Sequence, residues 1–194
     1  MVEKVACKSC GKLILPTTAK KNYGLCMPCK NGYREQIEKS KEHYKKEREL
    51  DKTCPFRALW QELVSKVHDS PGGFAVLTED EKIYFSVGIL DGEVYNGGFV
   101  QFFDNSSGEY YRYAELGLIR LGAKSSLKLL REAKKLAFGE GGVPKEQSIR
   151  WKYVKSETVS NSLDSMDTEY YNCPEDIGSL MEQFALEAGL VKNA

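Results

Sequence analysis

Beyond residue 55, apolar residues recur at the three- and four-residue spacing of α-helices. In the segment 56–67 the apolar positions are Phe56, Leu59, Trp60, Leu63, Val64 and Val67. This spacing gathers them on one helix face. Pro55 precedes the segment, and proline is favoured in the first turn of a helix. The pattern therefore predicts an amphipathic helix that begins near Pro55 and buries one face.

Further helices are predicted along the rest of the chain. Thr78 and Glu81 have the spacing of a capping box at the start of a helix, which we expect to weaken near Asp91-Gly92. Later patterns predict helices over 109–121 and 125–138, after Pro144, and from Pro174 to Gly189. No alternating strand pattern follows residue 55. The main domain, over residues 54–194, is predicted to be all-α.

Residues 33–53 form a highly charged segment ahead of this domain. Glu35 with Lys39, and Glu42 with Lys46, lie one helical turn apart with the acid first, which is the stabilising orientation. Apolar residues are sparse in the segment. We predict a solvated helical linker. A nucleic-acid-binding arm is the less favoured alternative, because acidic residues alternate with the basic ones.

Two CxxC pairs near the N-terminus, Cys7/Cys10 and Cys26/Cys29, are separated by fifteen residues. This spacing favours a structural zinc site, since each pair directs two thiolates at one metal and four complete a tetrahedron. So short a segment buries too little surface to fold alone. Binding of a structural zinc ion would supply an apparent free energy of about 10–16 kcal/mol. Residues 1–32 are predicted to be a zinc ribbon with one structural Zn²⁺ and strands at 13–15 and 23–25. A redox pair or two disulfides are the alternatives.

The segment 93–108 surrounds the pair Gly97-Gly98 with aromatic and amide side chains. Each glycine is about 1 kcal/mol less favourable than alanine inside a helix, and glycine permits a positive φ. We therefore expect a helix break that forms a buried corner. Its amides should bond backbone groups freed by the break, and a polar ligand site is the alternative. The motif residues are Asn96, Gly97, Gly98, Phe99, Gln101, Phe102 and Asn105.

The corner also carries a family resemblance. The run EVYNGGFVQFF at 93–103, followed by NSSG at 105–108, resembles a bacterial domain family named for its DNA-mimic proteins. The resemblance extends from about Phe56 to Gly189 and includes the segments 81–84 and 163–167. It implies an interaction protein whose carboxylates, spaced like phosphates, occupy the basic groove of a DNA-binding protein.

The net charge of zero conceals two halves of opposite sign. Residues 1–55 hold 13 Lys and Arg against 7 Asp and Glu, and residues 56–194 hold 15 against 21. The window 156–191 holds eight acids and no Lys or Arg. Such a surface attracts basic partners. The acids predicted to form a partner-binding face are Asp164, Asp167, Glu169, Glu175 and Asp176.

Several classes of protein are disfavoured. No apolar run approaches a membrane span, and the N-terminus lacks the apolar core of a signal peptide, so a cytoplasmic protein is expected. Enzyme signatures are missing as well. Cys54 and Cys173 are isolated, and neither His43 nor His68 has a sequence neighbour that would form a catalytic pair. A catalytic role is the least favoured class.

Three functions remain. The first is a non-catalytic protein whose acidic helical face binds a basic protein, such as a DNA-binding protein. The second is a nucleic-acid-associated factor that binds through the basic ribbon, with the helical domain as a regulator or dimerisation module. The third is an immunity-type protein that neutralises a toxin. The lysines relevant to the second are Lys4, Lys8, Lys12, Lys20, Lys21 and Lys30.

Overall fold

The computed structural model describes residues 3–191 and divides the chain into two compact units, Met1–Cys54 and Pro55–Ala194. The first unit combines a two-stranded hairpin with short helices and one long helix. The second is entirely helical apart from its turns within the described residues. The fold class is the one predicted, with a small cysteine-bearing hairpin and a charged helix ahead of an all-α domain.

The N-terminal unit begins with a short antiparallel hairpin. Strand β1 (Val5–Ala6) pairs with β2 (Leu13–Ile14), with Val5 opposite Ile14. Three helices follow, α1 (Pro16–Lys21), α2 (Met27–Lys30) and α3 (Arg34–Thr53). The long helix α3 contains no buried residue and coincides with the predicted charged helix.

One predicted strand is wrong. Residues 23–25 are not extended, and the partner of β2 is instead Val5–Ala6. Pro16 starts helix α1, and the chain leaves that helix through Tyr23 and Gly24, which both have positive φ angles of 56° and 86°. The N–H of Gly24 donates to the carbonyl of Ala19 at 2.7 Å, so the segment closes the helix as a turn and is not available to the sheet.

The helical unit is built around one long helix. Its helices are α4 (Pro55–Asp69), α5 (Glu79–Asp104), α6 (Tyr111–Leu121), α7 (Lys124–Phe138), α8 (Gln147–Val154), α9 (Glu157–Tyr171) and α10 (Ile177–Glu187). Short 3₁₀ turns at Gly73–Val76 and Ser106–Tyr110 bracket α5. Helix α5 packs against α4, α6, α8, α9 and α10. Its buried face includes Phe85, Leu90, Val94, Phe99, Phe102 and Phe103.

The start of α5 is the one predicted. The Thr78 side chain accepts from the N–H of Glu81, and Glu81 accepts in return from the N–H of Thr78. The helix does not weaken at Asp91-Gly92, because Val87, Leu90 and Val94 continue its buried face.

Helix α9 was not predicted. Its sequence, ETVSNSLDSMDTEYY, is rich in Ser, Thr, Asn and Asp, which have low helix propensity. Leu163, Met166 and Tyr170 nevertheless recur at helical spacing and are buried, so tertiary packing outweighs local preference. No helix in the described part of the chain combines the length and apolar character that crossing a bilayer requires.

Candidate functional site

The four cysteines of the two CxxC pairs come together in the N-terminal unit. Their sulfur atoms all lie within 4.8 Å of one another, and Sγ of Cys10 is 3.7 Å from Sγ of Cys26. All four thiols are free of disulfides. With Zn–S bonds of about 2.3 Å, a tetrahedral centre holds its sulfurs about 3.8 Å apart. The cysteines therefore fit a four-coordinate metal ion.

Local backbone structure positions each pair. Cys7–Cys10 lies at the end of the β1–β2 hairpin, where the N–H of Gly11 donates to the Cys7 carbonyl at 2.9 Å. Gly11 has φ of 71°, which favours glycine. In the second pair, Cys26 is the residue that precedes helix α2, and Cys29 lies within it. The hairpin turn and the helix start thus direct both pairs to one point.

Hydrogen bonds to two of the four sulfurs, those of Cys7 and Cys26, favour the thiolate form that a metal needs. The N–H of Cys26 donates to Sγ of Cys7 at 3.2 Å, and this bond is the main reason why the pKa of Cys7 falls to about 6. Burial raises the pKa of Cys26, but Arg34 donates to its Sγ at 3.0 Å and the net direction is downward. Thiolates are the species that coordinate metal.

Arg34 is held in place by a carboxylate. Its second Nη donates to Glu38 one turn further along α3, at 3.2 Å. Glu38 also accepts from Lys12 at 3.0 Å and from Lys41 at 3.1 Å, and these lysines, followed by Arg34, lower its pKa to about 2. The first turn of α3 is therefore linked to the cysteine cluster through one guanidinium group.

The corner in the helical unit is a true helix break. Gly97 has φ of −161° and ψ of 25°, and Gly98 has φ of 76°, so two helical segments meet here within α5. Oδ1 of Asp167 accepts from the N–H of Phe99 at 2.8 Å, which caps the second segment. A Cβ at Gly98 would lie 1.9 Å from Oδ2 of Asp167. Position 98 thus favours glycine for two reasons: its φ angle is positive, and the carboxylate of Asp167 occupies the space of a side chain.

The sequence predicts that the corner amides bond the backbone groups freed by the break. This prediction is wrong, because the amides of Gln101 and Asn105 bond a carboxylate. Gln101 donates to Oε2 of Glu93 at 2.6 Å, and Asn105 donates to the same atom at 2.9 Å. Asn96 is exposed. The carboxylate of Glu93, before the break, therefore binds two amides after it, and Asp167 takes the capping role expected of the amides.

Arg150 is a structural residue that the sequence analysis missed. It is fully buried and donates to the carbonyls of Phe103 and Asn105 at 2.8 Å each, and to those of Pro144 and Lys145. A Cβ at Gly108 would lie 2.6 Å from its Nε, so the last glycine of the NSSG run leaves room for it. The apolar residues around Arg150 form no clear helical pattern, so the sequence gives no sign that this arginine is buried.

The predicted acidic face is wrong at Asp167. This residue is 8% exposed and bonded to the corner, so it is not available on the surface. Glu175 is half-buried and accepts from the N–H of Ser125 at 2.7 Å near the start of α7. Asp176 is exposed and caps α10 through the N–H of Ser179. Asp164 and Glu169 are exposed on α9.

Two exposed tyrosines lie beside the corner. Tyr95 is 59% exposed and Tyr171 is 43% exposed, and their rings stack with centroids 5.3 Å apart. The hydroxyl of Tyr171 donates to the carbonyl of Val94 at 2.9 Å, which fixes its ring against α5. Burial, followed by the charges of Asp167 and Asp164, raises the pKa of Tyr171.

A cleft of about 230 Å³ adjoins Tyr95 and is lined by carboxylates. Asp91, Glu175 and Asp176 all border it, together with Tyr170 and Cys173. Burial raises the pKa of Asp91, and the nearby charge of Asp176 raises it further, against a hydrogen bond from Tyr170. We refer to Asp91, Tyr95, Glu175 and Asp176 as the acidic cleft.

Comparison with protein families matches residues 75–188 to DMP19-like protein, more than half of the chain. The chain belongs to the DMP19-like protein family. Comparisons with curated proteins and with solved structures each gave no match. The DMP19-like region contains the corner, Asp167, Arg150 and the acidic cleft. The four cysteines lie outside it, so the metal site rests on its own geometry.

Proposed function

We propose that the helical unit Pro55–Ala194, which contains the DMP19-like region and which we call the DMP19-like unit, is a non-catalytic interaction module. It would bind a basic protein, such as a DNA-binding protein, through its acidic surface. Membership of the family and the resemblance to DNA mimics support this assignment. The observation that carries it is the acidic cleft next to the exposed pair Tyr95 and Tyr171. A lysine or arginine of the partner would enter the cleft.

The chemistry of this surface suits such a side chain. Asp91, Glu175 and Asp176 supply negative charge around the cleft. Tyr95 supplies an aromatic ring at its edge, and Tyr171 stacks on that ring. A cation over a tyrosine ring gains about 0.5–1 kcal/mol at an exposed site, and more when desolvated. Tyrosine is also enriched among interface residues that dominate binding energy. The cleft and the tyrosine pair thus form a compact anchor.

A wider electrostatic field supports the anchor. Glu157, Asp164 and Tyr171 follow one another at seven-residue intervals, so they lie along one line of α9, and all three are exposed. Residues 156–191 contain no Lys or Arg to neutralise them. Because exposed charges are screened beyond about 8 Å at physiological salt, this field acts mainly on the rate of association.

We also propose that Cys7, Cys10, Cys26 and Cys29 hold one structural Zn²⁺. Four thiolates leave no open coordination position, so the ion would stabilise the N-terminal unit and not catalyse a reaction. Among the described residues of this unit, only Cys7, Asn22 and Cys26 are buried. So small a core gives little stability, which supports a role for a metal ion in holding the unit together.

The test begins with capture of the partner from native lysate on immobilised full-length chain, followed by identification and calorimetric titration. The expected partner is basic, its complex dissociates as salt rises, and duplex DNA competes with the chain for it. Tyr95→Ala should weaken binding about tenfold or more, as interface tyrosines do. Asp164→Lys should slow association without lowering the melting temperature.

A matched control is Glu132→Lys, which reverses an exposed charge on α7 that does not line the acidic cleft. It should leave the affinity close to that of the parent chain. The proposal is overturned if Tyr95→Ala and Asp164→Lys bind as the parent does, or if the purified partner is acidic and indifferent to DNA.

A further inference from the structure

Tyr23 has an unusual position in the N-terminal unit. It is 85% exposed, more than any other large hydrophobic or aromatic residue among those described, and it has φ of 56°. This left-handed conformation is uncommon for a bulky side chain, which crowds its own backbone there. An asparagine or glycine would meet the same turn with less strain. Neither packing nor backbone conformation therefore explains a tyrosine at this position, and we look for a role in binding.

The turn beneath Tyr23 is firmly held. Asn22 is 1% exposed, accepts from Lys30 at 3.0 Å, and donates to the sulfur of Met27 at 3.2 Å. Gly24 donates its N–H to the carbonyl of Ala19 at 2.7 Å. The ring of Tyr23 is thus presented to solvent from a fixed base.

Three lysines lie on or next to the turn that carries Tyr23. The N–H of Lys8 donates to the carbonyl of Gly24 at 3.0 Å, and a Cβ at Gly24 would lie 2.6 Å from Cε of Lys8. The Lys8 side chain therefore crosses Gly24, next to Tyr23. Lys20 and Lys21 occupy the last turn of α1, directly before the same turn. We call Lys8, Lys20, Lys21 and Tyr23 the basic tyrosine patch.

The charges of this patch are not neutralised locally. Residues 1–32 contain six lysines and one acid, Glu3. Lys12 is paired with Glu38. Across the described chain, Lys8, Lys20 and Lys21 form no ion pair. Three unpaired lysines near the turn of Tyr23 provide contacts to phosphates, and the exposed ring provides a face on which a base can stack.

We propose that the basic tyrosine patch binds single-stranded nucleic acid, with an unpaired base stacked on Tyr23 and phosphates contacted by Lys8, Lys20 and Lys21. Proteins that bind single strands combine these two kinds of contact. A duplex is a poorer fit, because its bases stack on one another and offer no free face. A protein partner fits less well too, since lysine is depleted in the cores of protein interfaces. The proposal concerns the N-terminal unit and is independent of the function proposed for the DMP19-like unit.

The experiment uses the full-length, metal-loaded chain and fluorescence anisotropy with labelled oligothymidylate, oligouridylate and a duplex of equal length. We expect both single strands to bind more tightly than the duplex, and their relative affinity distinguishes DNA from RNA as the preferred ligand. Three phosphate contacts predict that affinity falls about 20-fold between 50 and 200 mM salt. Tyr23→Asn should weaken binding about fivefold or more, because it removes a stacking ring.

Asparagine is chosen because it tolerates the left-handed backbone, so the turn should survive. Tyr23→Phe keeps the ring and should bind as the parent chain does. Tyr44→Ala removes another exposed tyrosine, on α3, and is the matched control. Metal content and circular dichroism verify that each variant is folded. The proposal is overturned if Tyr23→Asn binds like the parent, if Tyr44→Ala has the larger effect, or if no single strand binds.

Discussion

Oδ1 of Asp167 accepts a hydrogen bond from the N–H of Phe99 at 2.8 Å, across 68 positions of sequence. The contact joins the glycine corner of α5 to the second half of α9. Oδ2 of the same carboxylate fills the space where a side chain at Gly98 would begin. The glycine pair and the aspartate therefore act as one structural feature.

The first prediction concerns the coupling between Gly98 and Asp167. Asp167→Ala should destabilise the helical unit by about 0.5–2 kcal/mol through loss of the cap. Gly98→Ala should cost about 1–3 kcal/mol through its positive φ, besides displacing the carboxylate. The double variant should cost less than the sum by about 0.5–3 kcal/mol, because removing the carboxylate makes room for the new Cβ.

Urea unfolding followed by tryptophan fluorescence measures these changes, since both tryptophans, Trp60 and Trp151, lie in the helical unit. Gly92→Ala is the control, because a Cβ there meets nothing within 4 Å. It should be neutral or slightly stabilising. Additive effects of Gly98→Ala and Asp167→Ala would contradict the proposed coupling.

The second prediction concerns Arg150. Replacement by methionine keeps much of the apolar stem but removes the donors to four backbone carbonyls. A hydrogen bond from a charged donor contributes about 1.5–3 kcal/mol, and the buried carbonyl of Phe103 would be left without a donor, so we expect a total loss of about 4 kcal/mol or more. Lys152→Met, an exposed change on the same helix, should stay within about 0.5 kcal/mol of the parent. Equal unfolding midpoints for the two variants would refute a structural role for Arg150.

Much of the fold could be predicted because local patterns and packing agree. The capping box at Thr78, the amphipathic face of α4 and the break at Gly97-Gly98 all have local causes, and the structure has each of them. The convergence of Cys7, Cys10, Cys26 and Cys29 was likewise predictable from spacing, since a CxxC pair constrains two sulfurs to one side of a turn.

The remaining features depend on contacts between distant segments. Asp167 lies in an acidic run and is therefore expected on the surface, but Phe99 offers it a buried N–H 68 residues away in sequence. Arg150 is buried because the C-terminal end of α5 and the segment 144–145 both present backbone carbonyls to its guanidinium group. The acidic cleft combines α5 with the start of α10. None of these pairings has a periodic signal in the sequence.

The third prediction is a pair of pH dependences with opposite signs. Burial and Asp176 raise the pKa of Asp91, so its ionised form is unfavourable in the folded state. Stability from this group is present below the usual Asp pKa of 3.8 and is lost as pH rises above it. Asp91→Asn should therefore stabilise the helical unit at pH 7, and the gain should shrink as pH approaches 4.

Asp176 should behave in the opposite way. Its pKa is lowered, chiefly by the N–H of Ser179, so its contribution to stability is present above 3.8 and is lost as pH falls. Asp176→Asn should destabilise at pH 7, and the difference from the parent should vanish in acid. Urea unfolding of both variants from about pH 2 to pH 8 measures the two trends, because the loss expected for Asp176 lies below pH 3.8. Parallel profiles for Asp91→Asn and Asp176→Asn would show that the environments of the two carboxylates are misassigned.

The fourth prediction concerns the metal centre. Purified protein should carry about one zinc ion per chain, and Cys26→Ser should lose it. Circular dichroism should then report loss of structure in the N-terminal unit, while urea unfolding monitored at Trp60 and Trp151 should remain cooperative and unshifted. Metal analysis that finds no zinc while the thiols of Cys7, Cys10, Cys26 and Cys29 are intact and reactive would refute the assignment.

Arg34 allows a finer test of the same centre. Its guanidinium donates to Sγ of Cys26 at 3.0 Å and offsets the negative charge of the thiolates, while Glu38 fixes its orientation. Arg34→Gln leaves all four ligands in place but removes this charge, so competition with a chelator should show metal affinity about 10–100-fold lower, as for other groups that orient ligands. Arg48→Gln removes an exposed arginine from the same helix and should leave the affinity unchanged. If both variants retain the affinity of the parent chain, the contact between α3 and the cysteines does not stabilise the bound ion, and the four sulfurs hold it unaided.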